Sequence, residues 1–466
     1  METFIHGTFS RNAFRKLIAA SPLIVAFLVF GSAAMAQQGQ MQYYRYNDKS
    51  GLNVFETSKH DSTTFTKMHV KVGANFEMTY QSLADKNTAV PMTQAPFVGN
   101  VNSLESMTPG FVLPAANLNV DVQLEDGIRV SLTAYLASRH HEETWVKGGY
   151  IQFDKLLFLH SKLVDTLMKS FTIKVGQFDV DYGDQHYRRT DGGNTIYNPF
   201  IENYIMDEFA TEIGGEIYYH HKSGLFAMGG MTNGELDPTA LTSTKVDSAT
   251  GQMNKYGAAF HGKLGFDKQL TQDLRVRLTG SFYTVSSDNS NTLFGGDRTG
   301  SHYFYVMSNA AVAKGTTISN ENDYNPFSGR LNPGFSEAVH TYMANAFLKY
   351  KGLEFFGTYE NAHGRSISEF TNRQATQYAV DGIYRFPANK ENFWIGFRYN
   401  TVTAGLLGLA NNVTVQREAA SAGWFLTRNI MMKAEYVNQV YMGYPSNNIL
   451  NGGKFNGVSL EASIAF

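Results

Sequence analysis

Between Lys67 and Phe466 the chain repeatedly alternates apolar and polar residues with a period of two, over stretches of about ten residues, the pattern of strands with one greasy and one wet face. In the first stretch Met68, Val70, Val72, Ala74, Phe76, Met78 and Tyr80 share one face, while Lys67, His69, Lys71, Asn75 and Glu77 share the other. In the last, Phe455 to Phe466, the residues Val458, Leu460, Ala462, Ile464 and Phe466 alternate with Ser459, Glu461 and Ser463. A strand that stops on an aromatic residue leaves a bare sheet edge unless something pairs with it. Closure of the sheet into a barrel supplies that partner.

The N-terminus reads as a secretory leader. Arg11, Arg15 and Lys16 precede the apolar run Leu17 to Phe30, and Ala34-Met35-Ala36 offers small residues for cleavage before Gln37. The apolar run is shorter than the ~20 residues a helix needs to span a bilayer. Residues 1 to 36 are therefore expected to be a signal peptide, 37 to 64 a periplasmic arm, and 65 to 466 the barrel. The formal charge is −2, and nothing asks for nucleic acid. With no cysteine, an exported chain of this size holds together without disulfides. There are 26 tyrosines, 34 phenylalanines and 43 glycines, and only 17% of residues are charged, so a chain like this enters a membrane as strands.

The strands follow one another as hairpins. Leu118 to Leu124 and Ile128 to Leu136 flank the turn Asp126-Gly127. Lys155 to Ser170 has leucines at helical spacing (Leu156, Leu159, Leu163, Leu167), which suggests a short helix within a turn. Further hairpins surround Lys222 to Gly224, Asp267 to Gln272, Lys351-Gly352, Pro387 to Lys390 and Thr427 to Asn429. Short connections mostly alternate with long ones, although the Lys155 segment is long for a short turn and the His140 region brief for a long loop; the count is about sixteen, with fourteen to eighteen compatible with the spacing. The expected fold class is all-β, a transmembrane antiparallel up-and-down β-barrel. Glycines 73, 176, 396 and 423 within strands would let it bend. Tyr80, Phe266, Tyr350, Phe386 and Tyr441, near strand ends, suggest aromatic girdles at the membrane interfaces.

A barrel of about sixteen strands leaves an aqueous lumen. By parity, its basic lining candidates are Lys67, Lys71, Arg129, Lys174, Lys255, Lys263, Arg275, Arg277, Arg398, Arg417 and Lys433, with His69 and His261. The acidic ones are Glu77, Asp121, Glu125, Glu216, Glu354, Glu360, Asp381 and Glu435. The bases lead around Lys263 and Arg275, and would enrich anions unless acids on adjacent strands neutralise them. Exchanging Arg275 and Arg277 for Glu would then shift selectivity toward cations. The long loops 179 to 207 and 286 to 337 are the candidates for a constriction.

Two resemblances add to this pattern. The closing strand, with Leu460, Ile464 and Phe466, resembles the C-terminal signal by which bacterial outer-membrane barrels are recognised by the assembly machinery. Together with the leader and the runs Gly149-Tyr150-Ile151-Gln152-Phe153 and Ile173-Lys174-Val175-Gly176-Gln177-Phe178, it is similar to the phosphate-selective porin O and P group and related Bacteroidetes outer-membrane proteins. That resemblance implies an outer-membrane porin of a Gram-negative bacterium, embedded in outer-membrane lipid, often a homotrimer, passing small hydrophilic or anionic solutes. This chain's bases do not match the family's basic ladder residue by residue, and acids interrupt them.

Enzymatic signatures are missing from the sequence. His140-His141 and His220-His221 are neighbours, and neighbours on a regular strand face opposite sides, so neither pair can ligate one metal there. There is no Gly-x-Ser-x-Gly elbow and no His-Glu-x-x-His; no cofactor or metal is expected. Tyr-Asn-Pro-Phe occurs at 197 to 200 and again at 324 to 327, as aromatic contacts for a sugar or a constriction or, the favoured reading, as an Asn-Pro turn that explains the repeat without a ligand. Two alternatives to a diffusion porin remain: a ligand-specific oligosaccharide channel, which sugars would block saturably, and a non-conducting structural or adhesion barrel with a loop-filled lumen.

Overall fold

In a computed structural model, residues 40–466 are described, except 96, 113–114, 138–142, 191–193, 237–239, 241, 296–301, 311, 314–328 and the side chains of 98, 137, 143 and 312–313. The leader, His140-His141 and the second Tyr-Asn-Pro-Phe lie outside the described residues.

Sixteen long strands form the wall: β1 His69–Lys86, β2 Ala115–Glu125, β3 Ile128–Ala137, β4 Glu143–Phe153, β5 Phe171–Asp179, β6 Thr211–His220, β7 Leu225–Thr232 and β8 Ala259–Gln269. The second half comprises β9 Leu274–Val285, β10 Ala338–Tyr350, β11 Leu353–Arg365, β12 Arg373–Phe386, β13 Phe393–Ala404, β14 Val413–Phe425, β15 Ile430–Met442 and β16 Lys454–Ala465. Each pairs antiparallel with its sequence neighbours, and β1 pairs with β16 from Asn75↔Ala465 to Lys86↔Lys454, which closes the barrel. The count and the closure are those the alternation predicts.

β1 is the longest strand because it serves two neighbours in turn. Its first half pairs with β2 (His69↔Gln123 to Glu77↔Ala115) and its second with β16, a stagger that closed barrels require. The short strand Gly110–Phe111 pairs with Tyr80 and Gln81, in the part of β1 that outruns β2. At the seam the backbones of Ala74 and Phe466 exchange hydrogen bonds of 3.1 and 3.0 Å. Gly73 permits this approach, since a Cβ there would lie 2.4 Å from the Phe466 carbonyl oxygen.

Alternation sorts the side chains as expected. Leu264, Leu278, Ile395, Phe397 and Leu460 are about half exposed on the outside, while Arg277, Glu354, Asn400 and Arg417 are buried on the inside. Phe386, Phe393 and Trp424 stack nearly parallel across β12, β13 and β14, with centroids 5.7 and 5.6 Å apart, on the exterior near the short turns. Tyr441 corrects the girdle expectation. It shares the inward parity of Lys433 and Glu435, is 4% exposed, and accepts a hydrogen bond from Gln439 inside the barrel.

The short turns gather at one end, together with the start of β1 and the end of β16. The expected helix is present there as α1, Lys162–Met168, whose N-cap Ser161 accepts from the Val164 amide. Phe158, Leu163 and Leu167 of this connection point outward, as a membrane-interface segment would. No described helix is long and apolar enough to cross a membrane. The wall itself is the membrane element, because closure satisfies its backbone groups without water.

Candidate functional site

The lumen is not an open tube: three segments enter it. The loop joining β5 to β6, residues 180–210, is buried along nearly all of its described length and crosses the interior. Its near end is fixed by charge. Asp184 receives a forked pair from Arg277 at 2.8 and 2.7 Å and the Thr279 hydroxyl at 2.8 Å, while Lys263 binds Asp181 and donates to the Gly183 carbonyl at 2.7 Å. Despite burial, Arg277 and Lys263 hold the Asp184 carboxyl well below the usual range. His186 lies 2.9 Å from Asp181 and 3.1 Å from Asp179; burial alone would lower it, but the two carboxylates raise it.

The far end of the loop is held mostly through its backbone. The amides of Ile201, Ile205 and Met206 donate to Glu435, Asn400 and Gln377 at 2.8, 2.6 and 3.1 Å. Lys433 donates to the carbonyls of Phe200 and Asn198 at 2.6 and 3.0 Å, Arg398 to that of Glu202 at 2.8 Å, and Arg417 to that of Asn203 at 2.7 Å. Tyr197 to Phe200 forms the expected turn, with the Asn198 side chain accepting from the Phe200 amide at 3.0 Å. The turn also delivers Phe200 beneath the Arg398 guanidinium, 4.2 Å from its ring centroid. Burial pushes the Glu202 carboxyl up to about 7, against the nearby Arg330 and Arg417.

The arm is the second insert, packed across the short-turn end. Tyr44 donates to Asp121 at 2.7 Å, Arg45 lies 3.8 Å above the Tyr197 ring, and Asn53 donates to Glu354 at 2.6 Å. Glu56 joins Arg277 at 2.7 Å, and Lys59 joins Asp154 at 3.0 Å. The third insert comes from the β9–β10 loop, whose His302 to Met307 and Gly329 to Phe335 reach inward; Tyr303 binds Glu435, and Arg417 donates to the Gly329 carbonyl at 2.6 Å.

These inserts pack against β8 to β15 and leave a cavity of about 260 Å³ against β2 to β6. Arg129, Asp121, Tyr150, Lys174, Tyr218 and His220 line it from the wall, and Tyr44, Arg45, Glu56, Tyr187 and Tyr197 from the inserts. Five tyrosines and a small excess of bases over acids give it a polar, aromatic lining.

The parity candidates divide accordingly. Arg129 and Lys174 border the cavity, paired with Asp121 at 3.7 Å and Glu216 at 3.2 Å. Lys263, Arg275, Arg277, Arg398, Arg417 and Lys433 face inward but are engaged by Asp181, Asp267, Asp184, Asp381, Gln439 and Glu461. Glu77, Glu216, Glu354, Glu360, Asp381 and Glu435 are buried inside, and Lys71 and His261 with them. Lys67, Lys255 and Glu125 depart from expectation, being exposed at strand margins. Pairing begins only at His69, a bulge breaks the ladder at Glu125, and β8 starts at Ala259 because residues 253–257 bond to the adjoining loops instead.

Sequence reasoning missed Arg45, Glu56, Asp181, Asp184, Arg188 and Arg189, which sit on the inserts rather than on strands. The one signal was charge density, Asp-Tyr-Gly-Asp-Gln-His-Tyr-Arg-Arg at 181 to 189, too rich in charge to be an idle linker. His220 faces the cavity, while His221 turns outward to Ser223.

No family model matches the chain, and no sequence among curated proteins does. Solved structures with a similar barrel include the anion-selective porin from Comamonas acidovorans (9% identity, 86% of this chain and 100% of that one, TM-score 0.48). OprB of Pseudomonas putida is similar at 10% identity over 86% and 94%, with a TM-score of 0.48. A trimer form of OmpT, an outer membrane protein of Vibrio cholerae, is similar at 11% identity over 86% and 100%, with a TM-score of 0.46. Independently of these, the closed wall and its apolar exterior are those of a barrel of the outer-membrane type.

Proposed function

We propose that this chain is an outer-membrane porin that lets small hydrophilic solutes diffuse passively along the β2 to β6 wall. The observation that carries this reading is the off-centre polar cavity of about 260 Å³, left beside an infolded loop within a sixteen-strand barrel. The short-turn end faces the periplasm, the arm narrows that mouth, and loop 180–210 sets the aperture. Arg45, Arg129 and Lys174 against Glu56 and Asp121 give the path a mild preference for anions. The resemblance to phosphate-selective porins makes phosphate the first anion to test. Trimeric assembly belongs to the same proposal, and the mass of the detergent-solubilised protein checks it.

The test is single-channel recording of the refolded chain, without its leader, in a planar bilayer under a salt gradient. Steady openings with an anion-favouring reversal potential are expected, and R129E/K174E should move that potential toward cations. An unchanged potential would remove both residues from selectivity. The filled lumen favours one second reading, a non-conducting structural barrel, and silence from correctly folded protein would establish it in place of the porin.

A further inference from the structure

Glu77 on β1, Glu461 on β16 and His302 on the β9–β10 loop converge at the seam where the barrel closes, and each offers a ligand atom within 4.8 Å of the others. All three are buried, at 1%, 2% and 2% exposure. The two strands bring the carboxylates together by register: Glu461 is opposite Thr79, so Glu77 is its diagonal neighbour. The Thr79 hydroxyl lies 3.1 Å from one Glu77 oxygen and 3.4 Å from Glu461 Oε2. Among the described residues, Lys433 is the one cation bonded here, 2.8 Å from Glu461 Oε1, and it is shared with the carbonyls of Phe200 and Asn198. Two buried carboxylates against one shared ammonium leave the cluster short of positive charge.

The imidazole supplies the independent observation. Among the described residues, neither ring nitrogen of His302 has a hydrogen-bond partner, although Nε2 lies 3.4 Å from Glu461 Oε2. A buried histidine so placed is costly unless something accepts its lone pair. Its position is fixed from behind, where the His302 amide donates to Glu202 at 2.6 Å.

We propose that Glu77, Glu461 and His302 bind one divalent transition-metal cation, which ties the β9–β10 loop to the barrel seam. One imidazole nitrogen with two carboxylates suits Zn²⁺, Mn²⁺ or Co²⁺ rather than Ca²⁺ or Mg²⁺, which favour all-oxygen shells. The ion would supply the missing charge and hold the infolded loop in place. Sequence spacing could not reveal the set, because its members are 225 and 159 positions apart.

The refolded chain, stripped with a chelator, is titrated with Co²⁺ by absorption and with Zn²⁺ by calorimetry. One equivalent should bind, and His302→Ala or Glu77→Gln should each weaken binding at least tenfold while heat-modifiable migration, the sign of a folded barrel, persists. His302→Ala alters only a loop residue, so it separates ligation from folding. His340 and His363, opposite each other on β10 and β11, are the competing site, and H340A/H363A should leave the uptake unchanged. The proposal is overturned if folded wild type takes up no stoichiometric metal, if His302→Ala binds as wild type does, or if H340A/H363A abolishes uptake.

Discussion

Arg277 shows what one side chain does in this lumen. It is 1% exposed and holds Asp184 on the infolded loop and Glu56 on the arm, so one guanidinium fixes two inserts. A buried charge is stable only while paired, and removing one partner costs about 3–5 kcal/mol. Asp184→Asn should therefore loosen loop 180–210 without opening the wall. Limited proteolysis should cut that loop faster, while heat-modifiable migration is retained. The sequence placed Arg277 on the inward face correctly, since parity fixes direction. It could not name the partners, which come from segments 93 and 221 positions away.

The same loop responds to pH through Glu202 and His186. Glu202 is raised from the usual carboxylate range to about 7, so its contribution to the seated loop is complete below about 4.5 and is lost as pH rises through 7. His186 is also raised, so its contribution is present below about 6.5 and is lost above its folded value, in the same direction. Asp184 runs oppositely, with stability that is present above its ordinary 3.8 and is lost only at more acidic pH. The loop should thus be held more tightly at pH 5 than at pH 8. Proteolysis of the loop should rise across that interval, and Glu202→Gln should flatten the rise.

At the scale of the element, the strands were legible because a half-buried wall imposes period two, and a one-residue slip would reverse every face. The glycines within them were less so. Gly423 suggested a bend, but it faces Trp394 across β13 and β14, and a Cβ there would lie 2.0 Å from the indole. That indole donates to the Pro199 carbonyl at 3.1 Å, so the glycine makes room for a ring that supports the loop. Gly423→Val should displace Trp394, redshift its fluorescence and lower the melting temperature. Overpacking of this kind costs about 1–3 kcal/mol. The closing strand carries a second prediction: deleting Phe466 should reduce the fraction of barrels assembled in cells, read as the heat-modifiable band, if the assembly machinery reads that residue.

The whole molecule was half legible. Closure and strand number follow from patterns a few residues long, while the alternation of short and long connections is broken at 154–170, which is long, and at 138–142, which is short. The filling of the lumen depends on where loops go, which no local pattern fixes. The arm reads from its polar, irregular sequence only as a periplasmic segment, yet its Tyr44, Arg45, Asn53 and Glu56 bind partners in the lumen. Loop 180–210, one of two constriction candidates, crosses the interior, and the described parts of the other reach in as well. Removing residues 37–64 should widen the short-turn mouth and raise conductance severalfold.

The absence of native cysteine makes the path itself measurable. Thr133→Cys places a sole thiol on the cavity wall, and Asn400→Cys places one on the wall covered by loop 180–210. Each variant, recorded in a planar bilayer, is exposed to a small charged methanethiosulfonate. A solute path along β2 to β6 predicts a stepwise fall in current for Thr133→Cys and none for Asn400→Cys. Block at Asn400→Cys alone, or current that neither reagent nor position affects, would contradict it.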